Sequence, residues 1–420
     1  MIQRVSLFTS RRDFFIFLAF CFIFLSHSLY VEYKKFEELT RFDSFLTKAT
    51  IQKQYTKAKN SRTYQVLKLK SSDGITFYTK AKKDLQNLKD KEIEIEVWTK
   101  NLTFYDYISS FFGYSKIISI KEKESLKSDL NTFIDNAHEN EQIARLYQAL
   151  YLAEDVDSEM QNAFSNLGVS HIVAISGFHL GILSAILYFL ISPIYKLAQN
   201  RFFPYTNAKR DLFFITFSVL FAYVLFLDSP PSLVRSFGMF IVGFVLYDRG
   251  IEVFSMQTLL IAVLLLLAFF PRLFFSLGFW LSAGGVFYIF LFLIYFKHLN
   301  FIYQLLGISV LVYLYMLPSS LFLFGNFSIY HPFSVILSML FTPFYPLSIV
   351  LHTVGFGNLF DSFFEWLLIL GENGTKISLS IYTFLLHILL SFGAIYNRYA
   401  MSVLSLFSLF IFIYAVYEVA

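Results

Sequence analysis

The sequence predicts a polytopic α-helical membrane protein with a small β-rich, OB-like extracytoplasmic domain near its N-terminus. Three observations predict it. Of 420 residues, 56% are hydrophobic and 15% charged, against usual shares of ~45–50% and ~25%. The apolar residues are unevenly spread: residues 32–166 are polar and charged, whereas residues 171–417 form a near-continuous series of apolar runs. Inside the polar part, short runs alternate with period two. The 54 phenylalanines accompany many Ile, Lys and Asn and are read as the mark of an AT-rich genome. The single Cys21 excludes a disulfide framework or a cysteine metal site.

Residues 1–31 are expected to form an anchor helix. The apolar stretch 14–30 follows Arg4, Arg11 and Arg12 and is short for a span of ~20 residues. Ser26-His27-Ser28 offers a loose cleavage site, and "SRRDFF" resembles a twin-arginine signal. A retained anchor is preferred because a membrane domain follows.

Residues 32–124 are expected to form the β domain. The runs "YQVLKLK" (64–70), "ITFYTK" (75–80), "EIEIEVW" (92–98) and "KIISIK" (116–121) alternate. Ser71-Ser72-Asp73-Gly74 is a hairpin signal. An OB-like barrel is the candidate. Residues 31–127 hold 20 Lys/Arg against 13 Asp/Glu, whereas residues 128–165 hold one Arg against eight acids. Tyr64, Lys68, Lys70, Tyr78, Lys80 and Trp98 combine cations with rings, which is how a strand surface holds single-stranded nucleic acid. A solvated Lys-rich surface over an aromatic core explains the same composition.

Residues 125–167 are expected to be an amphipathic helical connector. Leu126, Leu130, Phe133, Ile134, Ile143, Leu146, Tyr147 and Leu150 recur at three and four. "QNAFSNLG" (161–168) then leads into the membrane domain, residues 168–420.

With the anchor, about ten hydrophobic spans are expected, the later ones over 171–195, 212–227, 233–247, 254–270, 273–296, 301–324, 332–356, 377–396 and 401–417. Each is helical where it meets lipid, because lipid offers the backbone no partners. Placing Arg4, Arg11 and Arg12 in the cytoplasm and alternating puts Lys196, Arg201, Lys209, Arg210, Arg249, Lys297 and Lys376 inside. Only Arg272 and Arg398 then fall in short outer loops. The β domain falls outside.

Polar residues at membrane depth cost roughly 2.5–3.5 kcal/mol on insertion scales and mark function. "SHIVAISGFHLGIL" (170–183) carries His171, Ser176 and His179. On a regular helix the two histidines differ by about 80° and can border one cavity. Gly177 and Gly181 form a small-residue spacing for close helix approach. In "LDSPPSLVRSFGMF" (227–240), Pro230 and Pro231 interrupt the helix between two spans. Asp228 precedes them and Arg235 follows, aimed at a phosphate or snorkelling to the surface. "FFSLGFWLSAGGVFYIF" (274–290) adds Trp280, Ser282 and several glycines, and "GNFSIYHPFS" (325–334) adds Asn326 and His331. "GENGTK" lacks the phosphate-loop spacing and "AHENE" is not a zinc-protease motif, so neither a nucleotide motor nor a metal or other cofactor is expected.

"GVSHIVAISGFHLGIL" (168–183) closely resembles the signature of the ComEC competence family. "PPSLVRSFGMF", "PRLFFSLGFWLSAGGV" and "TFYDYISSFFGYSKI" are similar to further family stretches, so the likeness covers about residues 64–350. The departures are mild: Ile172-Val173 for two leucines, Phe178 for leucine, Leu180 for valine. The resemblance implies an inner-membrane channel importing single-stranded DNA during natural transformation. It implies an outer-face DNA receptor and a cytoplasmic helicase-like ATPase as partners, and no catalysis by the chain itself. His171, Ser176, Gly177, His179, Gly181, Asp228, Pro230, Pro231, Arg235, Trp280 and Ser282 are the expected lining of the path. Many members carry a metallo-β-lactamase-like domain; its histidine-aspartate motif does not occur before Ala420, so the resemblance leaves the nuclease role in doubt here or supplied by a separate nuclease. Two alternatives stay open. One is an exporter of a small molecule or polysaccharide. The other is an intramembrane serine hydrolase, since Ala174-Ile175-Ser176-Gly177 resembles the rhomboid serine motif with alanine for its first glycine.

Overall fold

The computed structural model describes residues 10–59, 62–72, 74–82, 85–86, 88, 91–121, 126–248 and 253–419. Arg4, Asp73 and Arg249, used in the expectations above, lie outside the described residues. The chain divides into two compact units: one holds Ser10–Asp129 with Leu264–Ser276, and the other holds Leu130–Val263 and Leu277–Ala420.

The first unit opens with α1 (Arg11–Leu39), which runs on well past Val31. Ser10 and Asp13 cap it reciprocally. A five-stranded antiparallel sheet follows: β1 (Ser44–Lys59), β2 (Arg62–Ser71), β3 (Thr76–Ala81), β4 (Glu92–Trp98) and β5 (Tyr114–Lys121), in the order β3-β2-β1-β4-β5. A short helix, α2 (Phe104–Ser109), precedes β5. A parallel bridge from Tyr78 to Phe112 brings the two edges together, and the Thr79 and Ser115 hydroxyls meet at 2.6 Å. Joining β3 to β5 in parallel gives the sheet OB-like connectivity. The expected hairpin joins β2 to β3, with Gly74 at φ +79°, a conformation that costs glycine little. Inside lie Ile51, Leu67, Leu69, Phe77, Ile93, Ile95 and Val97. Arg272 in this unit donates to Glu32 at 2.7 and 3.0 Å and stands over the Tyr107 ring at 4.6 Å. A cation that breaks the charge alternation is thus neutralised in place.

The second unit is helical, and two of the helices below run across its chain boundaries at residues 129–130 and 263–264. The connector consists of α3 (Leu126–Asp135), α4 (Glu141–Leu152) and α5 (Ser158–Asn166). Its expected inner face is largely right: Ile134, Ile143, Leu146, Tyr147 and Leu150 are buried. Leu126 and Phe133 remain exposed. After the four-residue α6 (Ser170–Val173) come α7 (Gly177–Phe202), α8 (Ala208–Phe226), α9 (Pro231–Asp248), α10 (Met256–Phe269), α11 (Leu277–Phe296) and α12 (Phe301–Leu323). A short strand, β6 (Asn326–Phe327), leads to α13 (Ser334–Thr353), α14 (Asp361–Glu372), β7 (Thr375–Lys376), α15 (Ile381–Tyr396) and α16 (Arg398–Val419). Helices occupy all ten expected apolar segments, but 171–195 is not one regular helix: the chain leaves α6 at an extended Ala174 and restarts at Gly177, so His171 and His179 stand on different helices. Among the described residues, six helical stretches have the length and apolarity to cross a bilayer. The chain is a multi-pass membrane protein with a small β-rich domain.

One element differs from expectation. Residues 361–372 lie between two expected spans, yet they form α14, which turns the chain back. Asn326 pairs with Lys376, Ser328 donates to the Asn166 carbonyl at 3.1 Å, and Asn166 donates to the Gly371 carbonyl at 2.8 Å. Lys376 therefore shares an end of the bundle with the entry to α7, opposite to Lys209. At twelve residues α14 spans about 18 Å, short of the ~20 residues of a typical span, so the alternation misses a turn after α13.

Candidate translocation site

The site grows from the way α7 begins. Gly168 sits at φ +72°, and a Cβ there would stand 2.6 Å from the His331 ring, so only glycine fits that turn. Ser176 is the N-cap of α7. Its hydroxyl accepts from Phe178 N–H at 3.3 Å, and its own N–H donates to His179 Nδ1 at 3.2 Å. This is a capping box with histidine where glutamate usually stands. Ser176 is thus first a helix cap.

The bond settles the tautomer of His179. Because Nδ1 accepts, a neutral ring carries its proton on Nε2. That nitrogen is buried and meets no hydrogen-bond partner. His179 is fully buried, edge-on to Phe341 and Tyr345 of α13 at 5.1 and 4.8 Å. His171 is more open, with Nε2 3.1 Å from the Ser338 hydroxyl, also on α13.

The second wall is α9. Asp228 and Ser229 adopt left-handed φ of +59° and +55°, which turns the chain after α8. Pro230 and Pro231 do not break a helix at depth; Pro231 starts α9, where its missing N–H is no loss. Ser232 donates to the Ile175 carbonyl at 2.9 Å, and a Cβ on Gly177 would stand 2.9 Å from the Ser236 hydroxyl. Gly177 therefore permits the close approach of α7 and α9. Gly181 does not: nothing lies within 4 Å of its Cβ position, so the expected glycine pair acts through one member. Arg235 shares the helix face of Ser232 and Ser236. It is 7% exposed, its Nε meets no hydrogen-bond partner, and no carboxylate pairs with it among the described residues. Trp280 and Ser282 lie on α11, which packs on α9; Trp280 is 44% exposed.

In the β unit, Lys68 pairs across the sheet with Tyr78, and Val66 with Lys80. Tyr64, Lys68 and Lys70 thus share the outward face of β2–β3 with Tyr78 and Lys80. Lys80 Nζ stands 5.1 Å from the Tyr64 ring centre and 5.6 Å from that of Phe112. Trp98 is elsewhere. It ends β4, whose outward residues are otherwise Glu92, Glu94 and Glu96, two strands from β2. Composition alone could not separate a basic face from an acidic one. Among the described residues, no group of three or more His, Cys, Asp or Glu could hold a metal.

The model of the competence protein family matches residues 152–419, more than half of the chain. The chain belongs to the competence protein family. It is also 31% identical over 227 residues to ComE operon protein 3 of Bacillus subtilis (strain 168), a match covering 51% of this chain and 27% of that protein. No solved structure matches it. The competence-family match contains α6, α7, α9 and α13 and leaves the β sheet outside.

Proposed function

We propose that this competence-family chain is a conduit for one strand of DNA across the cytoplasmic membrane, and that the entry to α7 with the start of α9 contacts the passing backbone. The observation that carries the reading is a pair of orphan donors. His179 Nε2 and Arg235 Nε are buried with no acceptor, on helices joined through Ser232–Ile175 and Gly177–Ser236. Burying an unpaired guanidinium is expensive by several kcal/mol. Two donors waiting for an acceptor suit a phosphate oxygen, and Arg matches phosphate geometry.

Moving each phosphate inward costs ~2.3 kcal/mol per 100 mV of interior-negative potential. A passive path therefore works with a cytoplasmic helicase-like ATPase that pulls. An outer-face DNA receptor delivers the strand to the basic β2–β3 face, and a separate nuclease removes the other strand. In this reading the N-terminus is cytoplasmic, the β domain lies outside, and the chain performs no catalysis. The hydrolase alternative finds Ser176 Oγ 3.4 Å from His179 Nδ1, but that nitrogen already accepts from the Ser176 N–H.

The test is natural transformation in cells carrying Arg235→Ala or His179→Ala at normal membrane level. Uptake should fall at least tenfold, with DNA still held outside. Normal uptake by both variants would sink the proposal, and envelope defects in a deletion strain would favour the exporter.

A further inference from the structure

A second histidine cluster lies at the far end of α13 and takes no part in the conduit. His138, between α3 and α4, places Nδ1 2.9 Å from both carboxylate oxygens of Asp361, the first residue of α14. Its Nε2 stands 3.0 Å from Nε2 of His352, near the end of α13. His352 Nδ1 lies 2.7 Å from the Ser348 carbonyl oxygen. Tyr147 stacks on His138 at 4.5 Å with planes 12° apart, and a Cβ on Gly357 would stand 2.9 Å from the His352 ring. The cluster is enclosed: the His138 side chain is 0% exposed.

With a neutral His352 and an ionised Asp361, donor and acceptor roles leave one arrangement. The Ser348 carbonyl only accepts, so His352 Nδ1 carries a proton. A neutral His352 then has a bare Nε2, which accepts, and His138 Nε2 must donate to it. His138 Nδ1 faces a carboxylate, which also only accepts. Both nitrogens of His138 therefore hold protons.

We propose that His138 is an imidazolium clamped between Asp361 and His352, and that this ion pair is a latch fastening the α3–α4 turn to the α13–α14 turn. The groups facing it are Asp361 of α14, His352 of α13, and Tyr147 with Tyr151 of α4; Glu365 is engaged by Asn140 at 2.8 Å. No Lys or Arg pairs with Asp361 among the described residues.

The experiment is nitrogen-15 NMR of histidine-labelled full-length protein in nanodiscs near pH 7.5. One of the eight histidines should show both ring nitrogens protonated. That signal should vanish in His138→Gln and convert to a neutral ring in Asp361→Asn. Each variant should melt at lower temperature, with the double variant little worse than either single. If His138→Gln fails to accumulate, Asp361→Asn and Asp361→Glu read the same ring. A neutral tautomer at His138, unchanged melting of Asp361→Asn, or co-purifying zinc that is lost in His352→Ala would each overturn the latch.

Discussion

Two buried histidine sites are built against α13, and they differ in how their hydrogen bonds close. At the far end, His138, His352, Asp361 and Ser348 satisfy one another. At the near end, His179 and Arg235 each keep a buried donor without an acceptor. A closed polar network fixes structure and tolerates no loss, whereas an open one is carried at a cost that only a ligand offsets. On the proposed conduit reading, the contrast separates the residues that hold the bundle from those that wait for a strand to pass.

Breaking the open site should have the largest effect on function and the opposite effect on stability. Arg235→Met should reduce transformation by at least tenfold yet raise the unfolding free energy by about 1–4 kcal/mol, since an unpaired buried charge is removed. Equal stability together with normal uptake would erase the distinction between the sites. Next in size is the turn into α7. Gly168→Ala should destabilise by at least about 1–2 kcal/mol from the left-handed backbone alone, with more from the His331 ring. Thermal melting of the solubilised protein checks it.

The comparison extends outward to the β unit, where contacts are exposed and weaker. Lys68→Glu with Lys80→Glu should lower single-strand affinity several-fold and flatten the salt slope by roughly one to two. The same changes at Trp98 should do little, because that residue lies on the glutamate-bearing face. The smallest expected effect concerns Tyr107. Burial pushes its phenol up to about 12, with Arg272 opposing. A raised value means the contribution is complete below about pH 10, the ordinary value, and is lost as pH climbs through about 12. Melting of the β unit should steepen above pH 10 in the native chain and less so in Tyr107→Phe.

Much of this was legible in the residues. The stretch 168–183 announced itself because serine, glycine and histidine are out of place at the mouth of an apolar run. The β2–β3 hairpin was visible because alternation and turn chemistry agree. The capping role of Ser176 was hidden, since His179 stands where a cap pattern asks for glutamate. The latch was invisible: His138, His352 and Asp361 lie more than two hundred positions apart in part, and "AHENE" reads only as a failed zinc motif. Arg235 was found, but that it lacks a partner is a property of packing, which no spacing encodes.

The brief helix α14 carries a further implication. Because it reverses direction, a reporter enzyme inserted after Lys376 and another inserted at Lys209 should emerge in different compartments. Counting apolar segments would have assigned both to the same side, and a dual fusion assay distinguishes the two maps directly.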